Sequence, residues 1–385
     1  MQQAKLTLFR LDYLLGIAII ACQVMNQQSL TSLFFYVTFL VSAALWLCTT
    51  KERFDWLDCL ALFIVFLAFV NVSINGIIAG ADFSFQYFKK YIMFCCTVIF
   101  LAAARKITID KMTFRILELL FLAIGALLLF MYVFKSRQMH LYDGQYTRNL
   151  TFRFTNPNLT ALFLACMIMF LEITGFQEKN IIVRILLFSV AIVETVFLYQ
   201  TESRNALLAV SFFTIFSVLF FLRKRKLRLK KGFLWLVALL PLFFAIIYLR
   251  LVNYPNISEL FAFAISEGKN LDSRVSIWST AFRTFVTSPI LGAYYQISGG
   301  TGTSQLHNTH VDILVSYGIL VLGLVCVFLY GLMREKNLKA CSSAQDSALL
   351  GFICALLLGM GEAALFSGGL SIYLFFGIFL GLANE

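Results

Sequence analysis

Apolar runs of about 20 residues recur along the whole chain, separated by mostly short polar connections. As a helix, a run of that length crosses a hydrocarbon core of about 30 Å. The pattern predicts about twelve membrane helices, near 8–25, 30–48, 55–75, 88–104, 113–134, 158–175, 182–200, 204–222, 232–250, 307–332, 346–363 and 367–383. Two connections are long, at about 135–157 and about 251–306. Loops of that length are uncommon in compact proteins unless they serve a function. Within the second, Ile277, Trp278, Ala281, Phe282 and Phe285 recur at helical spacing after Asp272-Ser273-Arg274, and Pro289 follows. Asp272 or Ser273 can cap this segment. It predicts an amphipathic helix lying on the outer membrane surface, or a lid packed on the bundle. The expected fold class is all-α. Residues 1–385 form one polytopic transmembrane domain, and 251–306 form a large extracytoplasmic loop before the helix that carries His307.

Composition agrees with a membrane protein. The 385 residues are 60% hydrophobic and 13% charged, where a soluble domain carries about a quarter charged residues. Lys5 and Arg10 precede the first apolar run, which reads as a retained span without a cleavage site. The nine cysteines lie mostly inside spans and show neither metal-type spacing nor a disulfide framework. Of the 31 Lys and Arg, twenty fall in alternate connections, seven of them between Arg223 and Lys231. The positive-inside rule places those connections, and both termini, in the cytoplasm. The net charge of +11 therefore reads as orientation and not as a nucleic-acid surface. The other eleven basic residues face outward, against the rule, and call for another explanation.

Four outward-facing elements offer one. Arg148 and Arg153 precede Asn156-Pro157-Asn158, where Asn156 can cap and Pro157 suits the first helical turn. By itself this is an ordinary capped helix start with basic flanks. Arg204, in Gln200-Thr201-Glu202-Ser203-Arg204-Asn205, sits in a tight turn between two spans. It either pairs with Glu202 or presents its planar fork to phosphate oxygens at headgroup level. Arg274 starts the amphipathic segment, where snorkelling is the plain alternative. His307-Asn308-Thr309-His310 opens a long span and holds two of the three histidines. At i,i+3 the two imidazoles would share a helix face. With Asp312 they suggest a metal site only loosely, because no further ligand cluster appears. A helix-start histidine followed by an Asn cap is one reading, and a general base for a sugar hydroxyl is the other.

At these residues the chain resembles the O-antigen ligase and polymerase-like membrane proteins, which include bacterial surface-polysaccharide polymerases. The resemblance runs in order through Asn156-Pro157-Asn158, Ser203-Arg204, Arg274 with Trp278, Ser288-Pro289-Ile290-Leu291-Gly292, His307-Asn308 and the stretch Gly318 to Gly323. It covers roughly residues 145–335. Two positions depart from the pattern: Asn205, where a small residue such as Gly is common, and Ala293, where a second Gly is usual.

The resemblance implies a GT-C-like fold and an inverting, metal-independent glycosyl transfer with no cofactor. The donor would be a glycan on undecaprenyl pyrophosphate at the outer leaflet of a bacterial cytoplasmic membrane. With no metal motif, arginines would stabilise the leaving pyrophosphate. Arg204 matches the phosphate-binding arginine best, Arg274 is the second candidate, and His307 matches the proposed base. Arg148, Arg153, Asn156, Asn158, Asn308 and His310 are candidates for the donor or glycan path. Partners would be the lipid-linked oligosaccharide, membrane lipid, and chain-length regulator and flippase proteins. A polymerase for capsule, exopolysaccharide or O-antigen is the favoured reading. A ligase that transfers the glycan to lipid A core is the alternative. A flippase would need charges along a route through the bilayer, where Glu194 is the main acidic residue within a span.

Overall fold

A computed structural model of the protein describes residues 5, 7–11, 14, 28–51, 54–81, 85–135, 149–152, 157–223, 228–251, 272–294, 306–340, 342–361 and 372–383. The expected first span at 8–25 lies mostly outside them. In chain order the longer helices are α1 (Gln28–Thr50), α2 (Trp56–Ala79), α3 (Phe85–Ala104), α4 (Lys111–Lys135), α5 (Pro157–Gln177) and α6 (Ile181–Gln200). They continue with α7 (Arg204–Arg223), α8 (Lys231–Leu251), α9 (Asp272–Thr287), α10 (Thr309–Lys339), α11 (Ser343–Leu358) and α12 (Ile372–Leu382). Among the described residues there is no strand, and eight helices (α2 to α8 and α10) are long and apolar enough to cross a membrane.

The helix ends follow local chemistry. Asp55 caps α2 in a reciprocal box with Asp58, and Gly80 closes it in the left-handed conformation. Asn180 caps α6, Asn308 caps α10, and Ser342 with Gln345 boxes the start of α11. Position in the bundle follows the spread of apolar residues. The helix α5 is apolar on all sides and buried almost throughout, between α6, α7 and α11. The helix α10 packs on α2 and α8, while α4, α6 and α7 turn large apolar side chains such as Leu119, Ile192 and Leu208 outward. In a bilayer those outward faces meet lipid.

One span is broken on purpose. At Gly318 the α10 backbone takes φ 85° and ψ 171°. An unbroken helix would join the Ile319 N–H to the Val315 carbonyl. Here Ile319 donates to the Pro289 carbonyl at 2.9 Å, and the Val315 carbonyl accepts from Ala293 at 2.7 Å. The turn Ser288–Gly292 thus fills the gap. Asn71 on α2 donates to the Tyr317 carbonyl at 2.6 Å and the Ile290 carbonyl at 3.2 Å. A break at this depth requires every freed group to be paired inside the protein. A Cβ at Gly318 would collide with the Ile290 carbonyl, so only glycine fits there. Ala293 contributes its N–H without a left-handed φ, so its backbone does not demand a second glycine. Tyr294 extends the same clamp: its hydroxyl donates to the Tyr87 carbonyl at 2.7 Å and accepts from the Tyr91 N–H at 3.0 Å on α3.

Candidate functional site

The connection from α6 to α7 is three residues long. Thr201 ends α6, donating its hydroxyl to the Leu198 carbonyl at 2.7 Å. Glu202 takes a left-handed φ of 55°, and Ser203 offers its carbonyl to Leu207. Arg204 is therefore the first residue of α7, and it is exposed. A cation at a helix N-terminus opposes the helix dipole, at a cost of about 0.3–1 kcal/mol. An anion at that end would be favoured by the guanidinium and by the first-turn amides together. Residues 149–152 fold against this turn: the Leu150 N–H donates to the Gln200 carbonyl at 3.0 Å, and the Phe152 ring stands edge-on to Phe197. Pro157 is the first residue of α5, as expected, and Asn158 is half-buried beside it. Arg148, Arg153 and Asn156 lie outside the described residues.

His307 is half-buried and left-handed, with φ 50°. It precedes the cap of α10 rather than belonging to the helix, so the expectation that His307 and His310 share a helix face is corrected. The reason is Asn308, whose Oδ1 accepts from the amides of His310 and Val311, both at 3.0 Å, and starts the helix at Thr309. His310 points elsewhere: it is buried, and its Nε2 donates to the Ala238 carbonyl on α8 at 2.7 Å. Only a protonated nitrogen can donate to a carbonyl, which sets the tautomer. Asp312 pairs with Lys90 of α3 at 2.5 Å, and Lys90 also donates to the Ser316 hydroxyl at 3.0 Å. His310 and Asp312 thus face different neighbours. Among the described residues no group of three His, Cys, Asp or Glu converges as metal ligands.

Asn308 is buried and its amide is spent within the protein. Besides the two capping bonds, Nδ2 donates to the Pro241 carbonyl at 2.8 Å and the Met360 carbonyl at 3.1 Å. Asn308 and His310, both expected on the donor or glycan path, each carry bonds that hold helices together. Arg274 is half-buried at the start of α9, one turn before Trp278 and on its face. Trp278 is fully buried, donates to the Leu306 carbonyl at 2.7 Å, and packs edge-on to Phe244 and Tyr248 of α8. The apolar face of α9 therefore meets the bundle and not lipid, which corrects the surface-lying expectation in favour of the lid.

Three side-chain bonds to main-chain carbonyls assemble one end of the molecule. Trp278 to Leu306 ties the Arg274 helix to the residue before His307. Asn308 to Met360 ties the residue after His307 to the turn that ends α11. Asn205 to Leu358, at 2.9 Å, ties the residue after Arg204 to that same turn. Arg204, Arg274 and His307 stand out in the sequence, but the turn at Leu358–Gly361 does not, and it falls within the span expected at 346–363. Lys90 does not stand out as the partner of Asp312 either. The unusual Asn205 was the available signal.

Residues 185–328 match the family model for the O-antigen ligase. The resemblance to the O-antigen ligase and polymerase-like membrane proteins is borne out over that stretch. It takes in Arg204, Arg274 and His307, the α9 lid, the Ser288–Gly292 turn and the break at Gly318. A comparison with curated proteins found no match. The family match and the apolar helices together support an integral membrane protein with a glycosyl-transfer role in polysaccharide synthesis.

Proposed function

We propose that this protein is a polysaccharide polymerase of the bacterial cytoplasmic membrane. It transfers a glycan from undecaprenyl pyrophosphate to a lipid-linked repeat unit at the outer leaflet, with inversion and without a metal. Both termini lie in the cytoplasm, and the end that carries His307 faces outward. The observation that carries this reading is the set of bonds that tie the α9 lid of Arg274, the main chain on either side of His307 and the residue after Arg204 through Leu306 and the Leu358–Gly361 turn. An acceptor hydroxyl attacks the anomeric carbon while the bond to the pyrophosphate oxygen breaks. His307 takes the hydroxyl proton. Arg204 and Arg274 meet the charge that grows on the leaving group, helped by the first-turn amides of α7.

The test is an assay of the purified protein with lipid-linked repeat units alone, for wild type and His307→Ala. A ladder of polymer from wild type, absent from the variant, is the expected result, and it should survive a chelator. Loss of turnover with chelator, restored by metal, would overturn the metal-free step. The matched family, the O-antigen ligase, favours one second reading: transfer of a finished glycan to a different acceptor. A folded wild type that makes no ladder alone but modifies an added core acceptor would select it. Glu172 and Glu194 are buried in α5 and α6 and take no part in the bonds that assemble the Arg204–His307 end. Arg204 and Arg274 each stand at the start of a helix and not along a route through the bundle, which supports surface chemistry over transport.

A further inference from the structure

We propose that Asn205 and Asn308 are paired positioning residues, which hold Arg204 and His307 in one frame by gripping a single turn from two sides. This rests on the transfer reading above. The last carbonyls of a helix have no partner within it and carry the negative end of its dipole. At the end of α11 three successive carbonyls are taken by donors from two other helices. Leu358 accepts from Asn205 Nδ2 at 2.9 Å, Gly359 accepts from the Thr309 N–H at 2.9 Å, and Met360 accepts from Asn308 Nδ2 at 3.1 Å. The starts of α7 and α10, the positive ends of their dipoles, thus meet the negative end of α11. Gly361 makes the approach possible, since a Cβ there would stand 2.9 Å from Asn205 Nδ2.

Each asparagine adjoins the residue it would position: Asn205 follows Arg204, and Asn308 follows His307. Both grips lie close to a strained backbone, Glu202 at φ 55° and His307 at φ 50°. Non-glycine residues persist in that region only where the surroundings hold them there. Asn308 fastens the main chain directly after the left-handed His307 to α8, through Pro241, and to the turn after α11, through Met360, so the backbone at His307 cannot move away without breaking one buried and one part-buried bond.

Hydrogen exchange on the full-length protein in nanodiscs tests the device without any substrate. Asn205→Ala should speed exchange in its own turn, 200–206, and also across the gap in 306–311. Asn205→Gln, which keeps the donor, should restore part of the protection. With lipid-linked repeat units as probe, kcat of Asn205→Ala should fall about 10- to 100-fold, with KM within about threefold of wild type. Asn308→Ser, which keeps a capping acceptor but loses both outgoing bonds, should act alike from the other side. If it fails to fold, the half-buried Asn205 still decides. Faster exchange confined to 200–206, or a kcat equal to wild type, would overturn the proposal. A wild type that transfers no sugar would sink the transfer reading instead, while the exchange result would still report on the grip.

Discussion

The two ends of α10 solve opposite problems. Near Lys336 the polar groups are charged and close on one another. Arg105 is buried and reaches Asp55 at 2.5 Å, Glu335 at 2.8 Å and Asp58 at 3.3 Å. Lys106 meets Asp58 and Lys339 meets Glu335, each at 2.5 Å, and Lys336 donates to the Arg105 carbonyl at 2.6 Å. The network binds the start of α2, the end of α3 and the end of α10 by charge. Near His307 the joints are made by neutral amides and an indole on main-chain carbonyls, while Arg204 stays exposed at a helix start. An end that only has to be stable neutralises its charges internally. On the proposed transfer reading, the end that receives an anion builds its frame from neutral groups. Lys90 and Asp312 fit this division, since their pair braces the upper half of α10 and leaves the three candidate residues to other partners.

The sharpest way to break the comparison is at His307. His307→Gly removes the imidazole and the left-handed penalty together. Transfer should fall about 10²- to 10⁴-fold, the usual worth of a general base. Thermal stability should match wild type or exceed it by up to about 1.6 kcal/mol. A relief of about 1–2 kcal/mol outweighs the added freedom of the unfolded chain, about 0.4–1 kcal/mol. His307→Ala should lose transfer equally without the gain. Melting curves in detergent beside a transfer assay separate the two; a glycine variant that melts well below the alanine variant would mean the backbone there is not strained.

At the other end the expected effect is on stability. Arg105→Ala leaves Asp55, Asp58 and Glu335 without their shared guanidinium, and breaking a buried pair from one side costs about 3–5 kcal/mol. The midpoint of thermal unfolding should drop strongly, with any loss of transfer explained by loss of folded protein. A variant with wild-type melting and no transfer would put chemistry at the wrong end. Arg204→Lys is the complement. It keeps the charge and loses the bidentate fork, so melting should hold while transfer falls about 10- to 100-fold, roughly the worth of one charge-assisted hydrogen bond at 1.5–3 kcal/mol. Full-length polymer from that variant would remove the bidentate role.

The sequence made the helices legible because a membrane span is written in a long run of one residue class. The run at 182–200 returns as Ile181–Gln200, and the one at 232–250 as Lys231–Leu251. Arg204, Arg274 and His307 were legible for a related reason: a cation or imidazole beside an apolar run stands out. What joins them was not. The partners of Asn205, Asn308 and Trp278 are main-chain carbonyls, which every residue has and no sequence marks. Lys90 and Asp312 lie 222 positions apart, beyond any local pattern. The break at Gly318 was hidden because glycine is ordinary in membrane helices, and the turn that fills it lies upstream of the span. The placement of His307 outside the helix followed from its neighbour's cap, a choice between two adjacent start points that periodicity alone does not resolve.

The smallest expected effect sharpens the charged end. Burial pushes the Asp55 carboxyl upward, but the hydrogen bond and charge of Arg105, the Leu57 amide and Lys106 outweigh it and hold the carboxyl below its ordinary 3.8. The sign follows directly. In acid the unfolded chain takes up this proton before the folded protein does, so stability rises with pH through that window. The contribution is fully present above about 3.8 and is lost as pH falls through the lower folded value. Asp55→Asn should therefore melt below wild type at pH 7, and the gap should close as the pH drops under about 4. Because the partner guanidinium is buried, added salt should change that gap little. A gap that stays constant from neutral pH into acid would show that the Asp55 charge contributes nothing beyond its cap on α2, and that this end is held by shape and not by closed charges.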